Sequence, residues 1–258
     1  MLNKNNFLKE INFLFKKLKI KKNDNILLHS NSAGINQIKI LKKDKAKFYN
    51  LFINALLKKI GSKGTLVMPT YNYDFTKGKT FDYNKSIGQV GELNNFFLKK
   101  RDVKRSYEPV FSHAIKGPLT DILINSNIES CFSKKSIFEK FKRYNFKIFG
   151  FSCLLNSMTF LHFIEEQAKV KYRFYKKFFG SYKIKSKKKN IILNYFVGKK
   201  SIKYNIKNQN VERALSNTKS FNKTNFGYFT CWTVNALSCY KIIKKKIKNN
   251  NNYLIQRI

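Results

Sequence analysis

Apolar and polar positions alternate along this chain with two periods. In the first twenty residues Phe7, Leu8, Ile11, Leu14, Phe15 and Leu18 share one face of a helix, with lysines between them. The next stretch, "NILLHSNSAGI", has strand character from Ile26 to His29 and then runs into small polar residues and Gly34. "DKAKFYNLFINALLKKIG" returns to the helical period: Phe48, Leu51, Phe52, Ala55, Leu56 and Ile60 fall on one face, and Gly61 is its stop signal. "GTLVMPTY" (64–71) reads as a short buried strand ended by Pro69. Strand, helix, strand in that order predicts a βαβ unit, and with it a layered α/β protein with parallel strands.

Farther on, "FKIFGFS" (146–152) is another apolar strand, and "NSMTFLHFIEE" (156–166) starts a helix after it. "NIILNYFVG" and "SIKYNIK" alternate as antiparallel strands do, which predicts a hairpin turned at Gly198. The last predicted helix is "TVNALSCYKIIKKKIKN". With only 3 prolines and 11 glycines among 258 residues and no Gly/Ser-rich or Pro-rich linker, nothing marks a boundary. A single domain over residues 1–258, with a basic tail from about residue 244, is expected.

Charge alters this picture less than its size suggests. The formal net charge is +39, which invites a nucleic-acid or anionic-membrane partner. Lysine, however, occurs in nearly every segment beside abundant Asn, Ile, Phe and Tyr, the composition of a strongly AT-biased genome. Only "KIKSKKKN" (183–190) and "KIIKKKIKNN" (241–250) concentrate it, so a nucleic-acid partner is not favoured. No uncharged run approaches the ~20 residues of a membrane span, and Lys9, Glu10, Lys16 and Lys17 interrupt any signal-peptide core. A cytoplasmic location follows as the expectation. Cys131, Cys153, Cys231 and Cys239 show no metal-ligand spacing, so reduced thiols and no metal are expected.

In α/β layers ligands gather at the carboxyl ends of strands. Three turns qualify: "HSNSAG" (29–34), "PTYNYDF" (69–75) and "GFSCLLNSMTFLHFIEE" (150–166). The first is an anion-binding turn or an ordinary capped one. In the third, His162 and Glu165 stand at i and i+3 of a helix, where an imidazole held by a carboxylate is the usual general-base arrangement. The apolar neighbours Phe160, Leu161, Phe163 and Ile164 fit a packed structural histidine equally well. The residues alone leave both readings open. His113, in a short apolar stretch, reads as structural.

Taken together, these segments resemble the aminoglycoside N(3)-acetyltransferase family. The resemblance is carried in order by "LLHSNSAGI", "KGTLVMPTYNY", "FDYNKSIGQVGELNNFF", "RSYEPVFSHAIKG", "FGFSCLLNSMTFLHFIEE" and "VKYRFYKKF", from residue 27 to 178, and again by the segment from 226 to 254. It implies a three-layer α/β/α sandwich with a mostly parallel central sheet and an antiparallel hairpin. It also implies acetyl-CoA as co-substrate, no metal, and transfer to a primary amine. By the same resemblance His162 is the catalytic base, Glu165 its orienting carboxylate, and Thr159 a candidate donor to the thioester oxygen. His29, Ser30, Asn31 and Ser32 match the turn that contacts CoA, with Ser112 as a further cofactor contact. Tyr172, Arg173 and Lys176 either reach the CoA phosphates or lie on a solvated helix face.

The acceptor side departs from the family. Glu108 in "RSYEP" stands where resistance enzymes usually carry histidine, and Arg101 and Asp102 replace an expected Pro-Gly. Fourteen acids against 53 bases also repel a polycation while favouring CoA or a phosphate-bearing sugar. Candidate acceptor contacts are Tyr71, Asp74, Asp82, Glu92, Arg105 and Glu108. The expected acceptor is an amino sugar, nucleotide- or phosphate-linked as in surface-polysaccharide biosynthesis, rather than an aminoglycoside drug; the expected assembly is a monomer or homodimer.

Overall fold

The computed structural model describes residues 4–31 and 44–258. In chain order its strands are β1 (Ile26–Ser30), β2 (Leu66–Pro69), β3 (Phe81–Asp82), β4 (Lys104–Arg105), β5 (His113–Lys116), β6 (Lys147–Phe151), β7 (Arg173–Ile184), β8 (Lys187–Gly198), β9 (Tyr204–Ile206), β10 (Asn222–Phe226), β11 (Phe229–Asn235) and β12 (Ile255–Arg257). Its described helices are α1 (Lys4–Lys17), α2 (Lys45–Ile60), α3 (Glu92–Leu98), α4 (Thr120–Ile124), α5 (Ile137–Arg143), α6 (Phe160–Gln167), α7 (Asn208–Leu215) and α8 (Ala236–Asn249).

Seven strands form the central sheet in the order β10-β11-β6-β1-β2-β5-β4. Successive side chains of a strand leave opposite faces, and the core divides accordingly. Ile26, Leu28, Leu66, Met68, Phe149 and Phe151 pack with Phe7, Ile11 and Phe15 of α1 and Phe52 and Leu56 of α2. Leu27, Val67, Ile148 and Val234 pack on the other side with Phe138, Phe163, Val211 and Ile243 from α5 to α8. Two apolar faces, each covered by helices, make the α/β/α layering. The βαβ unit expected between residues 26 and 69 is β1–α2–β2, with β1 parallel to β2.

Parallel pairing is narrower than the sequence suggests. Only the three central strands β6, β1 and β2 are parallel, and β11, β10, β5 and β4 extend the sheet antiparallel. Short connections impose this on two of the pairs: β10 and β11 are joined through Gly227 at φ 56, and β4 and β5 by residues 106–112, neither long enough for a crossover helix.

The predicted hairpin at Gly198 is also corrected. β8 pairs instead with β7, in register from Arg173↔Gly198 to Ile184↔Lys187, around a turn at Lys185 with φ 53. The segment predicted to pair with β8 forms β9, which pairs with β12. The stretch from Arg173 lacks clean alternation because lysines fall on both of its faces, so its pattern does not announce a strand. In the basic stretch beyond residue 244, Ile247 is buried in α8 and β12 completes a two-stranded sheet.

One glycine fixes the centre of the molecule. A Cβ on Gly150 would lie 2.1 Å from the ring of Trp232, so only glycine lets that indole cross β6 beside His29, its neighbour in register on β1.

Candidate active site

Helix α6 starts shortly after the carboxyl end of β6, where an α/β sheet opens toward solvent. Its Phe160, Leu161, Phe163 and Ile164 are buried, which seats the helix and fixes the direction of His162 between them. Thr159 occupies its N-cap position without making a side-chain cap bond. His162 is not sealed in: its side chain is 29% exposed, while that of Glu165 is fully buried.

The two groups meet at 2.7 Å, Nδ1 to Oε2. A proton must lie between atoms that close, and the carboxyl cannot supply it. Burial pushes Glu165 up, but the imidazole of His162 and then the guanidinium of Arg173 and the hydroxyl of Tyr172 outweigh burial and hold the carboxyl below its usual value. Nδ1–H therefore donates to Glu165, and in the neutral ring Nε2 carries the free lone pair. Arg173 Nη2 also lies 3.0 Å from Nδ1, but a nitrogen that is already donating cannot accept from it. Arg173 instead acts on the carboxylate, with Nε 2.9 Å from Oε2, and is itself fixed by a bond from Nη1 to the Phe196 carbonyl at 2.7 Å. Tyr172 donates to the other oxygen of Glu165 at 2.8 Å. A buried carboxylate is tolerated here because it is paired and bonded on both oxygens.

His162 and Thr159 open into a cleft of about 370 Å3. Tyr73, Phe111, Phe132, Phe178, Tyr195 and Phe196 provide aromatic walls, and Arg173 is the cation on its lining. No carboxylate lines it among the described residues.

The remaining candidates are scattered. His29 is the penultimate residue of β1, 6% exposed, and burial pushes its pKa down to about 4. Its Nε2 and the Oγ of Ser30 have no hydrogen-bond partner. Asn31 is exposed, and Ser32 lies outside the described residues. Ser112 is not at the cleft: it is fully buried, donates to the Thr70 carbonyl at 2.9 Å and accepts from Arg105 Nε at 2.9 Å. Arg105 is likewise internal, bonded to the carbonyls of Ser86 and Thr70 and stacked over Phe81. Neither has a free group for a ligand. Tyr71 is buried against His113, at 3.3 Å, and also interacts with Thr159, so it sits behind the cleft.

Of the candidate acids, Asp74 starts a short turn next to the cleft residues Tyr73 and Thr76 and lies 4.0 Å from Lys79. Asp82 closes a local turn through the N–H groups of Asn84 and Lys85 and lies 3.8 Å from Lys183. Glu92 is on α3, bonded by Tyr49 and Lys45, away from the cleft. Glu108 is buried, 3% exposed, and accepts bonds from the N–H groups of Val110 and Phe111 and from the Tyr195 hydroxyl. Burial nevertheless pushes it up to about 7. It supports two walls of the cleft, Phe111 and Tyr195, rather than lining it.

Sequence reasoning missed the aromatic walls and the ion pair of Arg173 with Glu165. The walls come from five separate stretches of the chain, and no spacing joins them. Arg173 was visible as a cation eight residues past Glu165, but assigned to a helix or the phosphates; on a strand antiparallel to β8 it points back at α6. Among the described residues no cluster of His, Cys, Asp and Glu could hold a metal ion, and no helix is long and apolar enough to cross a membrane.

Comparison with known proteins extends this geometry. The family model described as aminoglycoside 3-N-acetyltransferase matches residues 27–248. No curated protein matches the chain by sequence. Among solved structures, the YokD protein from Bacillus subtilis superposes with a TM-score of 0.78 at 17% identity, covering 95% of this chain and 94% of its own. The apoenzyme of aminoglycoside acetyltransferase AAC(3)-IVa gives 0.76 at 18%, covering 96% and 90%. The binary complex of AAC-IIIb with CoASH gives 0.78 at 14%, covering 96% of each chain.

Proposed function

The chain belongs to the aminoglycoside 3-N-acetyltransferase family, a class of CoA-dependent N-acyltransferases, and from that membership we propose that His162 is the base of an acetyl transfer to the primary amine of an amino sugar. The observation that carries this reading is the free Nε2 of His162 at the wall of a 370 Å3 cleft, with its Nδ1–H held by a buried carboxylate.

An alkylammonium has no lone pair for attack and must first lose a proton. Nε2 accepts that proton, and Glu165 stabilises the imidazolium that results. With that proton released to solvent, the amine nitrogen bonds to the acyl carbon, the carbon–sulfur bond breaks, and the second proton lost from the nitrogen passes through Nε2 to the departing thiolate, leaving a neutral amide and a free thiol. Thr159, on the same cleft and backed by Tyr71, is positioned to donate to the oxygen that gains charge. Acetyl-CoA, as substrate, supplies the activated acyl group. The unpartnered Nε2 of His29 and Oγ of Ser30 at the end of β1 fit an amide-bearing arm, and the basic surface suits its phosphates.

The acceptor is argued from what the cleft lacks. A polycationic drug needs several carboxylates against its amines, whereas the lining here is aromatic with one guanidinium. That supports an acceptor with one amine and ring faces to stack, such as an amino sugar of surface-polysaccharide biosynthesis, nucleotide- or phosphate-linked. The second reading, a true aminoglycoside 3-N-acetyltransferase conferring resistance, is favoured by the family match itself. Thiol release from acetyl-CoA, followed with a panel of amino sugars, their phosphates and aminoglycosides, separates them. Turnover with amino sugars supports the first and preference for the drugs the second. Silence with every amine, together with salt-sensitive nucleic-acid binding, overturns both.

A further inference from the structure

The β7–β8 hairpin carries a surface that the transfer chemistry does not use. One face of β7 is turned toward the body of the protein: Phe178 meets Tyr195, a Cβ on Gly180 would meet the ring of Phe75, and Tyr182 stacks on Phe81. Phe179 therefore leaves the opposite face, and the register sets Ile192 directly across from it. This pair stands in water, Phe179 65% and Ile192 53% exposed, where the alternation of a one-sided antiparallel sheet would place polar residues. Lysines bracket the pair on the same face. Lys177 lies two residues before Phe179, and about 13 Å beyond it Lys183 stands opposite Lys188. Lys185 and Lys187 follow at the turn, and no acidic residue occurs from Arg173 to Gly198. Of these five lysines only Lys183 forms an ion pair among the described residues, with Asp82 at 3.8 Å. The charge concentrated over residues 183–190 thus shares a hairpin with an exposed apolar pair.

We propose that this face of the hairpin docks the protein on an anionic phospholipid surface, with Phe179 and Ile192 entering the interface and the lysines meeting head-group phosphates. The inference goes beyond the transfer reading and does not depend on it. Charge and chemistry together choose the occupant. Clustered lysines are drawn to a negative leaflet, and their flexible stems lie along apolar surface while the ammonium groups reach the phosphates. An aromatic and an aliphatic side chain between such cations form the apolar side of an interfacial element. A second copy presenting the same face would set this cluster against like charges, with no carboxylate in the hairpin to answer them. A nucleic acid is served best by arginine forks and stackable rings. The only arginine of the hairpin is held by Glu165, and Ile192 offers no π-face.

The test is co-sedimentation with vesicles of equimolar phosphatidylglycerol and phosphatidylcholine, against phosphatidylcholine alone. Because the whole chain is basic, three variants with unchanged melting profiles separate this face from general charge. Phe179→Ser with Ile192→Ser keeps every charge. Lys185→Gln, Lys187→Gln and Lys188→Gln together remove three charges from the hairpin, and Lys241→Gln, Lys245→Gln and Lys248→Gln remove three equally exposed charges from α8. The wild-type protein is expected to bind the anionic vesicles and not the neutral ones; both hairpin variants should weaken binding about tenfold, and the α8 variant less than about twofold. In Phe179→Trp the introduced indole should shift its emission to the blue on the anionic vesicles, against a constant background from Trp232, which is already buried. Absence of binding, equal losses in the two lysine variants, or an apolar variant that binds as the wild type does overturns the proposal. So does tighter binding of single-stranded oligouridylate than of vesicles by the same hairpin lysines.

Discussion

Glu165 and Glu108 occupy almost the same kind of place and behave in opposite ways. Each is buried, and each accepts a tyrosine hydroxyl, from Tyr172 and Tyr195 respectively. Glu165 also has an imidazole and a guanidinium in contact and is held below the ordinary carboxylate range. Glu108 is pushed up to about 7 by burial, which Tyr195, the N–H groups of Phe111 and Val110 and the more distant Arg105 offset only in part. Hydrogen bonds alone do not outweigh desolvation here; a cation in direct contact does. Glu165 therefore stays ionised directly behind His162, while Glu108, behind Phe111 and Tyr195, changes its charge near neutral pH. Of the two, only the first can orient a base and stabilise its protonated form.

The largest break in this comparison is removal of the proposed base. His162→Ala should lower kcat by roughly 10²–10⁴ while CoA binding persists, measured by thiol release and calorimetry. Glu165→Gln should cost less turnover, because the ring stays in place and loses only its anionic partner. Next comes the cation: Arg173→Met leaves Glu165 buried with the imidazole and the Tyr172 hydroxyl but no guanidinium, and should destabilise the fold by about 3–5 kcal/mol in denaturant titration.

Smaller, and opposite in pH dependence, is Glu108→Gln. A carboxyl near 7 in the fold and near 4.5 in the unfolded chain favours the folded state fully below 4.5, and that contribution is lost as pH rises through 7. Wild-type stability should fall by up to about 3 kcal/mol across that window, and the glutamine variant should lose less. Glu166, also pushed up to about 7 by burial, contributes in the same sense, so the double variant should be flatter still. Glu165 has the reverse sign, its stabilisation persisting at neutral pH and disappearing only in acid. The smallest effect is expected at Glu92, which is exposed on α3: Glu92→Gln should change stability by under about 0.5 kcal/mol and leave acceptor KM untouched.

The same two glutamates show how far the sequence could be read. Glu165 was legible because its partner lies one helical turn away, and i to i+3 contact follows from helix geometry alone. The βαβ unit and the helix faces were legible for a similar reason, since periodicity within one element decides which side is buried. Glu108 was read as an acceptor contact because it is a carboxylate standing where the resembled family usually carries a histidine. Its actual partner Tyr195 is 87 residues away and reaches it only through a hairpin that the sequence pattern paired wrongly. Ser112 and Arg105 show the same: nothing in their own segments announces that both donate to the carbonyl of Thr70, some 35 to 42 residues away. Long-range partners decide whether a polar side chain is free, and local pattern cannot supply them.

The central claim, a ring protonated on Nδ1 with Nε2 open to the cleft, can be observed without turnover. Long-range ¹H–¹⁵N correlation spectra of the histidine side chains, with His162 assigned by its loss in His162→Ala, report which nitrogen carries the proton. The account predicts a pyrrole-type Nδ1 and an unprotonated Nε2 when the ring is neutral. A neutral ring with its proton on Nε2 would contradict it.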